Sequence, residues 1–259
     1  MNTTDLLARP TTSLASTPIR PLRFSTLTSV ELRKMTDTRS GRGLIAGVIG
    51  LVAVVLAWKV AHAEVSTSFH NYGSGAVQAL GFIAPVIALL AMTSEWTQRT
   101  ALTTLTLAPR RLPVMIAKYT AALVVSLGLI AVGMMLTLGG TALGGAIHGH
   151  AVYAGLLGDL RTFTIIVLLQ MLMACAFGAL AGNTAVALVA FFVAPTVWAA
   201  VSTQLLKGAA PWFDVFAAYD QLGSPHPFQH IAESLTAITV WIILPSVIGL
   251  TRALRREVK

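Results

Sequence analysis

Long apolar stretches alternate with short polar segments along most of the 259-residue chain. A helix needs about 20 apolar residues to cross the hydrocarbon core of a bilayer. Six stretches meet that length: residues 43–61, 75–93, 114–138, 162–181, 185–206 and 234–251. Helix is the open-ended element that satisfies its own backbone hydrogen bonds in lipid. The pattern predicts an all-α polytopic membrane protein with about six transmembrane helices, in which residues 43–251 form the transmembrane domain.

The composition agrees with this reading. Hydrophobic residues make up 55% of the chain and charged residues 11%, with a mean hydropathy of +0.75, whereas a soluble domain carries about 25% charged residues. A net charge of +8 would suit a nucleic-acid partner. However, the basic residues flank apolar stretches and do not alternate with aromatic side chains, so we expect no nucleic-acid binding.

Lysine and arginine orient the spans, because cytoplasmic loops carry an excess of both. With a cytoplasmic N-terminus, only three of the 18 basic residues fall outside, namely Lys59, Arg161 and Lys207. We therefore expect both termini in the cytoplasm and the chain in the cell (plasma or inner) membrane. Ala61-His62-Ala63 resembles a signal-peptide cleavage site, but the long basic region before the first apolar stretch favours an uncleaved span.

The N-terminal region divides into two parts. Residues 1–21 are rich in Thr, Ser and Pro, so we expect a disordered cytoplasmic tail; residues 252–259 form a second tail. Residues 22–42 predict an amphipathic helix along the inner membrane surface, with a plain charged leader as the alternative. Its apolar side holds Phe24, Leu27, Leu32 and Met35. Glu31 falls within this apolar arc, so we expect it to pair with a basic neighbour or a partner.

Ionisable residues are missing from the middle of every predicted span. Lys59 and Arg161 lie near span ends, where long side chains reach the membrane surface. Ion-driven carriers use buried ionisable residues as relays, so the energy for any transport is expected from elsewhere. The chain also lacks the G-x-x-x-x-G-K-[ST] phosphate loop. It therefore cannot hydrolyse ATP by that route, and we expect no enzyme activity in this chain, with any ATP hydrolysis in a separate partner subunit.

The densest polar segment between spans is SEWTQRTALTTLTLAPRRLPVMIAK, residues 94–118. It continues from Glu95 as a Thr-rich helical stretch and breaks at Pro109, and Pro113 is a suitable first residue for the next helix. Residues 94–113 are long enough for a helix parallel to the membrane. Such a helix could dock a cytoplasmic partner.

Two segments resemble the permeases of the type-2 ABC (ATP-binding cassette) exporter family. The first carries the pattern of that family in Glu95, Thr100, Leu105, Pro109, Arg111 and Lys118. The second is the leader ELRKMTDTRS, residues 31–40. The chain departs from the pattern at Arg99, where the family usually has Gly.

The resemblance implies that the chain is the membrane subunit of an ATP-driven exporter, and that loop 94–113 carries a coupling helix. Residues that would contact the ATPase subunit are Glu95, Arg99, Thr100, Arg110 and Arg111. Residues of the implied elbow helix are Phe24, Leu27, Glu31 and Lys34. The implied assembly has two permeases, identical or closely related, and two ATPase subunits that bind ATP and Mg. This chain itself would bind no cofactor. For each charge, anchoring at the inner face is the alternative.

The segment 207–234 carries three aromatic residues. After Pro211, Trp212, Phe216 and Tyr219 follow at i, i+4 and i+7, which would place them on one face of a helix. Aromatic rings favour the membrane interface, so the spacing predicts an outer interfacial helix. The resemblance implies a re-entrant outer gate there, and a simple interfacial loop is the alternative.

Polar residues at membrane depth are candidate contacts for a transport pathway. They are Gln78, Gln170, Thr196 and Ser202, although hydrogen bonding between helices explains them equally well. An apolar pathway predicts a hydrophobic or amphipathic substrate such as a drug, antibiotic or lipid.

The histidines and serines offer little further chemistry. All six histidines lie in predicted outer segments, and His148/His150 and His226/His230 have spacings that can share a metal. No Cys or acidic cluster accompanies them, so we expect no metal. Two alternative functions remain: a non-transporting assembly or immunity protein of the same fold, and a membrane-embedded enzyme. The latter lacks a motif to support its one suggestive serine, Ser74.

Overall fold

The computed structural model describes residues 23–62, 67–97, 111–224 and 226–255, apart from the side chains of residues 95–97. Within these ranges the regular elements are helices, together with one isolated bridge between Ser68 and Val152. In chain order they are α1 (Phe24–Thr36), α2 (Arg39–Ala61), α3 (Phe69–Thr97), α4 (Arg111–His148), α5 (Leu156–Ala181), α6 (Thr184–Leu205), a 3-10 helix (Lys207–Trp212), α7 (Val215–Gly223), α8 (Ile231–Ile238), a π-helical turn (Thr239–Ile243) and α9 (Leu244–Arg255).

Six of these helical segments are long and apolar enough to cross a membrane. Five are the single helices α2 to α6, and the sixth is the continuous run Ile231–Arg255, which combines α8, the π-helical turn and α9. Each corresponds to one predicted span. The predicted all-α polytopic membrane fold is therefore confirmed.

The third span extends ten residues further than predicted at its C-terminal end, because α4 continues past residue 138 to His148. Glycines in this stretch allow close helix contacts. A Cβ on Gly144 would lie 2.4 Å from the Tyr72 hydroxyl, and one on Gly140 would touch Leu56 at 3.7 Å. The sequence prediction stopped at the glycines because isolated helices lose stability there, whereas tertiary packing favours them.

The last span contains a local change of helix type. The π-helical turn Thr239–Ile243 ends two residues before Pro245. Proline lacks an amide hydrogen, and its ring clashes with the carbonyl four residues earlier, which here belongs to Trp241. Widening the turn relieves that clash, so one residue accounts for the irregularity.

Helix α3 lies at the centre of the bundle and α6 at its edge. In the most apolar window of each span, 61% of α3 is buried but only 17% of α6. Helix α3 packs against α2, α4 and α5, and α5 in turn packs against α9. The core of the bundle is thus built on α3 and α5, whereas much of α6 has no protein neighbour within the described chain.

The two ends of the bundle differ in charge. We call the end that holds the N-termini of α2 and α4 and the C-terminus of α9 the basic end. We call the opposite end, where α2 finishes and α3 begins, the histidine end. Helix α1 packs against α4 at the basic end. Its Glu31 and Met35 are buried, whereas Phe24 is 46% exposed, so the predicted apolar face contacts the bundle only in its C-terminal half.

Candidate functional site

A buried ion pair joins α1 to α4 at the basic end. Lys118 Nζ lies 2.8 Å from Glu31 Oε2, and less than a tenth of either side chain is exposed. The other carboxylate oxygen of Glu31 accepts a bond of 2.7 Å from Lys34, which is partly exposed. The prediction that Glu31 pairs with a basic neighbour is confirmed. A buried charge is stable only when paired and hydrogen-bonded, so this contact fixes α1 on the bundle.

Lys118 also connects to α3. Its ammonium group donates to the carbonyl oxygen of Ala91 at 3.2 Å. Ala91 lies two turns before the end of α3, and Lys118 lies two turns after the start of α4. The Lys118–Ala91 hydrogen bond therefore joins the two helices on either side of segment 98–110.

Helix α4 makes a second set of polar contacts, with α9. Arg111, its first residue, donates through Nη1 to the carbonyls of Ala253 at 3.1 Å and Leu254 at 3.5 Å. The hydroxyl groups of Tyr119 and Ser246 lie 3.1 Å apart. A cation near the last carbonyls of a helix is favourable, because those groups have no partner within the helix. Arg111 thus caps the C-terminus of α9.

Most of the residues predicted to contact an ATPase cannot be placed. Arg99, Thr100, Arg110 and the side chain of Glu95 lie outside the described residues. Arg111 is the described member of that set, and its contacts with α9 leave part of the guanidinium group at the surface. Its contact with α9 could not be predicted from a local pattern, because Arg111 and Ala253 are 142 positions apart in the chain.

The four pathway candidates do not form one cluster. Gln78 and Thr196 are exposed on the surface of the bundle, whereas Ser202 is fully buried and donates within its own helix to Ala199. Gln170 lies between α5 and α3, where its Oε1 is buried against Gly81. No hydrogen bond joins any two of these four side chains in the described structure.

Gln78 and Thr196, the two exposed pathway candidates, nevertheless lie on one surface. Phe82 of α3 and Phe192 of α6 pack together, with ring centroids 5.4 Å apart. Helices α3 and α6 run in opposite directions, so Gln78, four residues before Phe82, and Thr196, four residues after Phe192, both lie one turn closer to the histidine end. We call Gln78, Phe82, Phe192 and Thr196 the α3/α6 surface.

Gln78 makes this surface unusual for a lipid-facing one. The Thr196 hydroxyl donates to the Phe192 carbonyl at 2.8 Å, which satisfies it locally. Gln78 has no such bond in the described structure, and it lies within the apolar candidate span Phe69–Ser94. An unpaired amide in hydrocarbon costs free energy. The α3/α6 surface is therefore better suited to water or protein than to lipid.

The predicted outer helix is interrupted, so the expectation of one aromatic face starting at Pro211 is wrong. Trp212 ends the 3-10 helix, and α7 begins only at Val215. Asp214 ends the first turn and starts the next helix, because its carboxylate accepts the backbone N–H groups of Phe216 and Ala217. Such a cap is readable in the sequence as an acidic residue before an apolar run.

The three aromatics of this segment consequently differ in exposure. Trp212 and Phe216 are 40% and 39% exposed, whereas Tyr219 is 3% exposed. The Tyr219 hydroxyl lies 3.8 Å from Met173 Sδ of α5, and burial raises the pKa of Tyr219. Only Trp212 and Phe216 are thus available to line an outer opening, while Tyr219 anchors α7 to the bundle.

The histidines make separate contacts at the histidine end. His70 Nδ1 lies 2.7 Å from Asp159 Oδ1, and His148 Nε2 lies 2.8 Å from the Val60 carbonyl oxygen. His230 pairs with Glu233 at 3.2 Å. Among the described residues no three His, Cys, Asp or Glu side chains gather as a metal site would require.

The fold and these surfaces define an all-α, multi-pass membrane protein. No protein-family model matches the chain, and no curated protein matches it. Any more specific function therefore has to be argued from the surfaces described above.

Proposed function

We propose that this chain is the permease subunit of an ATP-driven exporter of the type-2 ABC class. Two such bundles form the pathway for a hydrophobic or amphipathic substrate, and a separate cytoplasmic ATPase subunit, present in two copies, binds ATP and Mg. The basic end faces the cytoplasm and the histidine end faces outward, in keeping with the excess of Lys and Arg at the basic end.

The observation that carries the proposal is the α3/α6 surface. It places the exposed amide of Gln78 and the exposed hydroxyl of Thr196 at one depth in the membrane, next to the Phe82–Phe192 pair. Mostly apolar walls with a few polar groups are typical of sites for small amphipathic molecules. A second permease opposite this surface would enclose a pathway of that character and shield Gln78 from lipid.

The location of the buried charged residues supports a source of energy outside the membrane. The buried charged residues of the described structure, Glu31 and Lys118, lie at the basic end and not at mid-membrane. A proton or ion relay through the bundle would need ionisable groups along its length. Energy supplied from outside the membrane by an ATPase agrees better with this arrangement.

Helix α1 and the start of α4 support the proposed site of ATPase contact. In an exporter of this class, the loop between the second and third spans meets the ATPase beside the elbow helix. Here the Glu31–Lys118 pair fixes α1 beside the first turns of α4, the helix that follows that segment in the chain. Segment 94–113 would dock the ATPase, with Arg111 at the edge of the contact. Trp212 and Phe216 would border the outer opening.

Cysteine cross-linking in membrane vesicles from the source cells tests the proposal. In a Cys175→Ala background, Phe82→Cys should form an intermolecular disulfide with its counterpart in a second copy when oxidised with copper phenanthroline. Trapping the ATPase with Mg-ATP and vanadate should change that yield, because the pathway switches between inward and outward states. The control is Met135→Cys, which is 72% exposed on α4, a helix that contributes no residue to the α3/α6 surface.

The outcomes separate the alternatives. Cross-linking at residue 82 that exceeds residue 135 and responds to Mg-ATP supports an ATP-driven pathway between two copies. Equal yields at both positions would contradict the α3/α6 surface as the pathway wall. A specific yield at residue 82 that ignores ATP would support an assembly or immunity role over transport.

A further inference from the structure

The start of α4 contacts three other helices, α1, α3 and α9, and we call this set of contacts the junction. Lys118 binds Glu31 of α1 and the Ala91 carbonyl of α3, while Arg111 and Tyr119 bind α9. These contacts all lie within the first nine residues of α4. A displacement of that segment would therefore act on three other helices at once.

We propose that Lys118 is the positioning residue that makes α1, the basic end of α3 and the start of α4 move as one body, and that Arg111 and Tyr119 add α9 to it. The junction is the transmission element of the permease. Its role in coupling rests on the proposed function, since it assumes that an ATPase acts on segment 94–113.

Burial makes the Lys118 contact rigid. The Lys118 side chain is 3% exposed and the Glu31 side chain 5% exposed, so sliding of α1 over α4 would break a buried ion pair. Breaking such a pair is strongly destabilising, which opposes that movement.

The contacts with α9 resist rotation because they occur at two heights. Tyr119 and Arg111 are eight residues apart on α4, about 12 Å along its axis, and their partners Ser246 and Ala253 are about 10 Å apart on α9. The helices are antiparallel, so the two contacts match in order. Two hydrogen bonds at different heights prevent one helix from rotating relative to the other, whereas a single bond allows that rotation.

Distance measurements between spin labels on the purified chain test the junction without any ATPase. In a Cys175→Ala background, one pair joins Ser29→Cys on the exposed side of α1 to Leu138→Cys, which is 39% exposed on α4. The other pair joins Thr251→Cys on the exposed side of α9 to the same position on α4. Both pairs should give a single narrow distance distribution in the otherwise unchanged protein.

Lys118→Met should remove the narrow maximum of the α1–α4 pair and leave the α9–α4 pair unchanged. The chain should still fold, because Glu31 keeps its bond to Lys34. Combined Arg111→Gln and Tyr119→Phe should have the opposite effect, broadening only the α9–α4 pair. Thr120→Val is the matched control, since its exposed hydroxyl bonds only to Ile116 of its own helix, and it should change neither pair.

Lys118→Arg adds a rescue, because it keeps a cation that can donate to both Glu31 and the Ala91 carbonyl. It should retain the narrow α1–α4 distance that Lys118→Met loses. The junction is overturned if Lys118→Met leaves the α1–α4 distance narrow, or broadens both pairs alike. Because no ATPase is present, such a result would reject the junction while the exporter function stays open to its own test.

Discussion

The buried charges at the basic end give a prediction with a distinctive energetic signature. Glu31→Leu removes the carboxylate and with it the bonds of Glu31 to both Lys118 and Lys34. Lys118→Met removes the cation but leaves Glu31 bonded to Lys34 at 2.7 Å. The two single substitutions should therefore differ in cost although they break the same pair.

The magnitudes follow from what each variant leaves behind. Removing one partner of a buried ion pair costs about 3–5 kcal/mol, so Glu31→Leu should lower the free energy of unfolding by about that amount. Lys118→Met loses a hydrogen bond to a charged group, roughly 1.5–3 kcal/mol. The double variant leaves neither buried charge and should lie within about 1 kcal/mol of the parent protein. Lys34 can turn to solvent in the double variant, because 41% of its side chain is exposed.

Unfolding in mixed micelles of increasing SDS content, followed by circular dichroism, measures these differences. The coupling energy is the departure of the double variant from the sum of the singles. A strongly non-additive cycle, in which the double variant is more stable than Glu31→Leu alone, is the expected result. An additive cycle would show that Glu31 and Lys118 do not interact energetically and would refute the reasoning.

Three other substitutions probe local packing, capping and charge. Gly249→Ala should lower the free energy of unfolding by about 1–3 kcal/mol, because the new Cβ would lie 2.6 Å from backbone atoms of α5. The same SDS titration measures this decrease. Asp214→Ala should cost about 1 kcal/mol by removing the cap of α7, seen as faster proteolysis between residues 207 and 223. Asp220→Asn should raise stability above the carboxyl titration range and leave it unchanged at acidic pH.

The expected effect of Asp220→Asn follows from the raised pKa of Asp220. Burial, with the neighbouring Asp214 second, raises the pKa of Asp220 in the folded protein. The folded state then holds its proton more tightly than the unfolded chain, so stability falls as pH rises from the ordinary pKa through the raised one. A pH profile that is identical in Asp220→Asn and the parent would contradict this.

Matched controls exist for Gly249→Ala and Asp214→Ala. A Cβ on Gly47 meets nothing within 4 Å, so Gly47→Ala should be neutral or slightly stabilising, and an equal loss in both glycine variants would argue against the close approach of α9 to α5. For the cap, Asp214→Asn should retain most of the stability. If Asp214→Asn and Asp214→Ala digest at the same rate, the carboxylate does not cap α7.

The sequence predicted the spans well because each one has to satisfy the same length and polarity requirement. The amphipathic pattern of residues 22–42 also predicted α1, and the position of Glu31 in its apolar arc predicted a basic partner. Which lysine would provide the second bond was not readable, since Lys118 lies 87 positions away in the chain. Such partners depend on how helices pack and not on local pattern.

The failures have local physical causes. A spacing of i, i+4 and i+7 in Trp212, Phe216 and Tyr219 predicted one aromatic face, but the Asp214 cap divides the segment between two helices. For the pathway, four residues were predicted because they are polar and lie at membrane depth. Polarity alone does not show whether such a side chain lies on the surface of the bundle or in its interior. Only packing separated exposed Gln78 from Gln170, because a helix in lipid can be apolar on every side.

The central claim, a permease driven by a separate ATPase, is tested most directly by ATP hydrolysis. The chain should be affinity-purified from its source cells in parallel with a variant whose residues 99–110 are replaced by a Gly-Ser linker of equal length. We predict that the parent chain brings down a subunit with a phosphate-loop motif and hydrolyses ATP, whereas the linker variant loses both, and that the chain expressed alone hydrolyses none. Hydrolysis by the isolated chain, or an ATPase retained by the linker variant, would contradict the account.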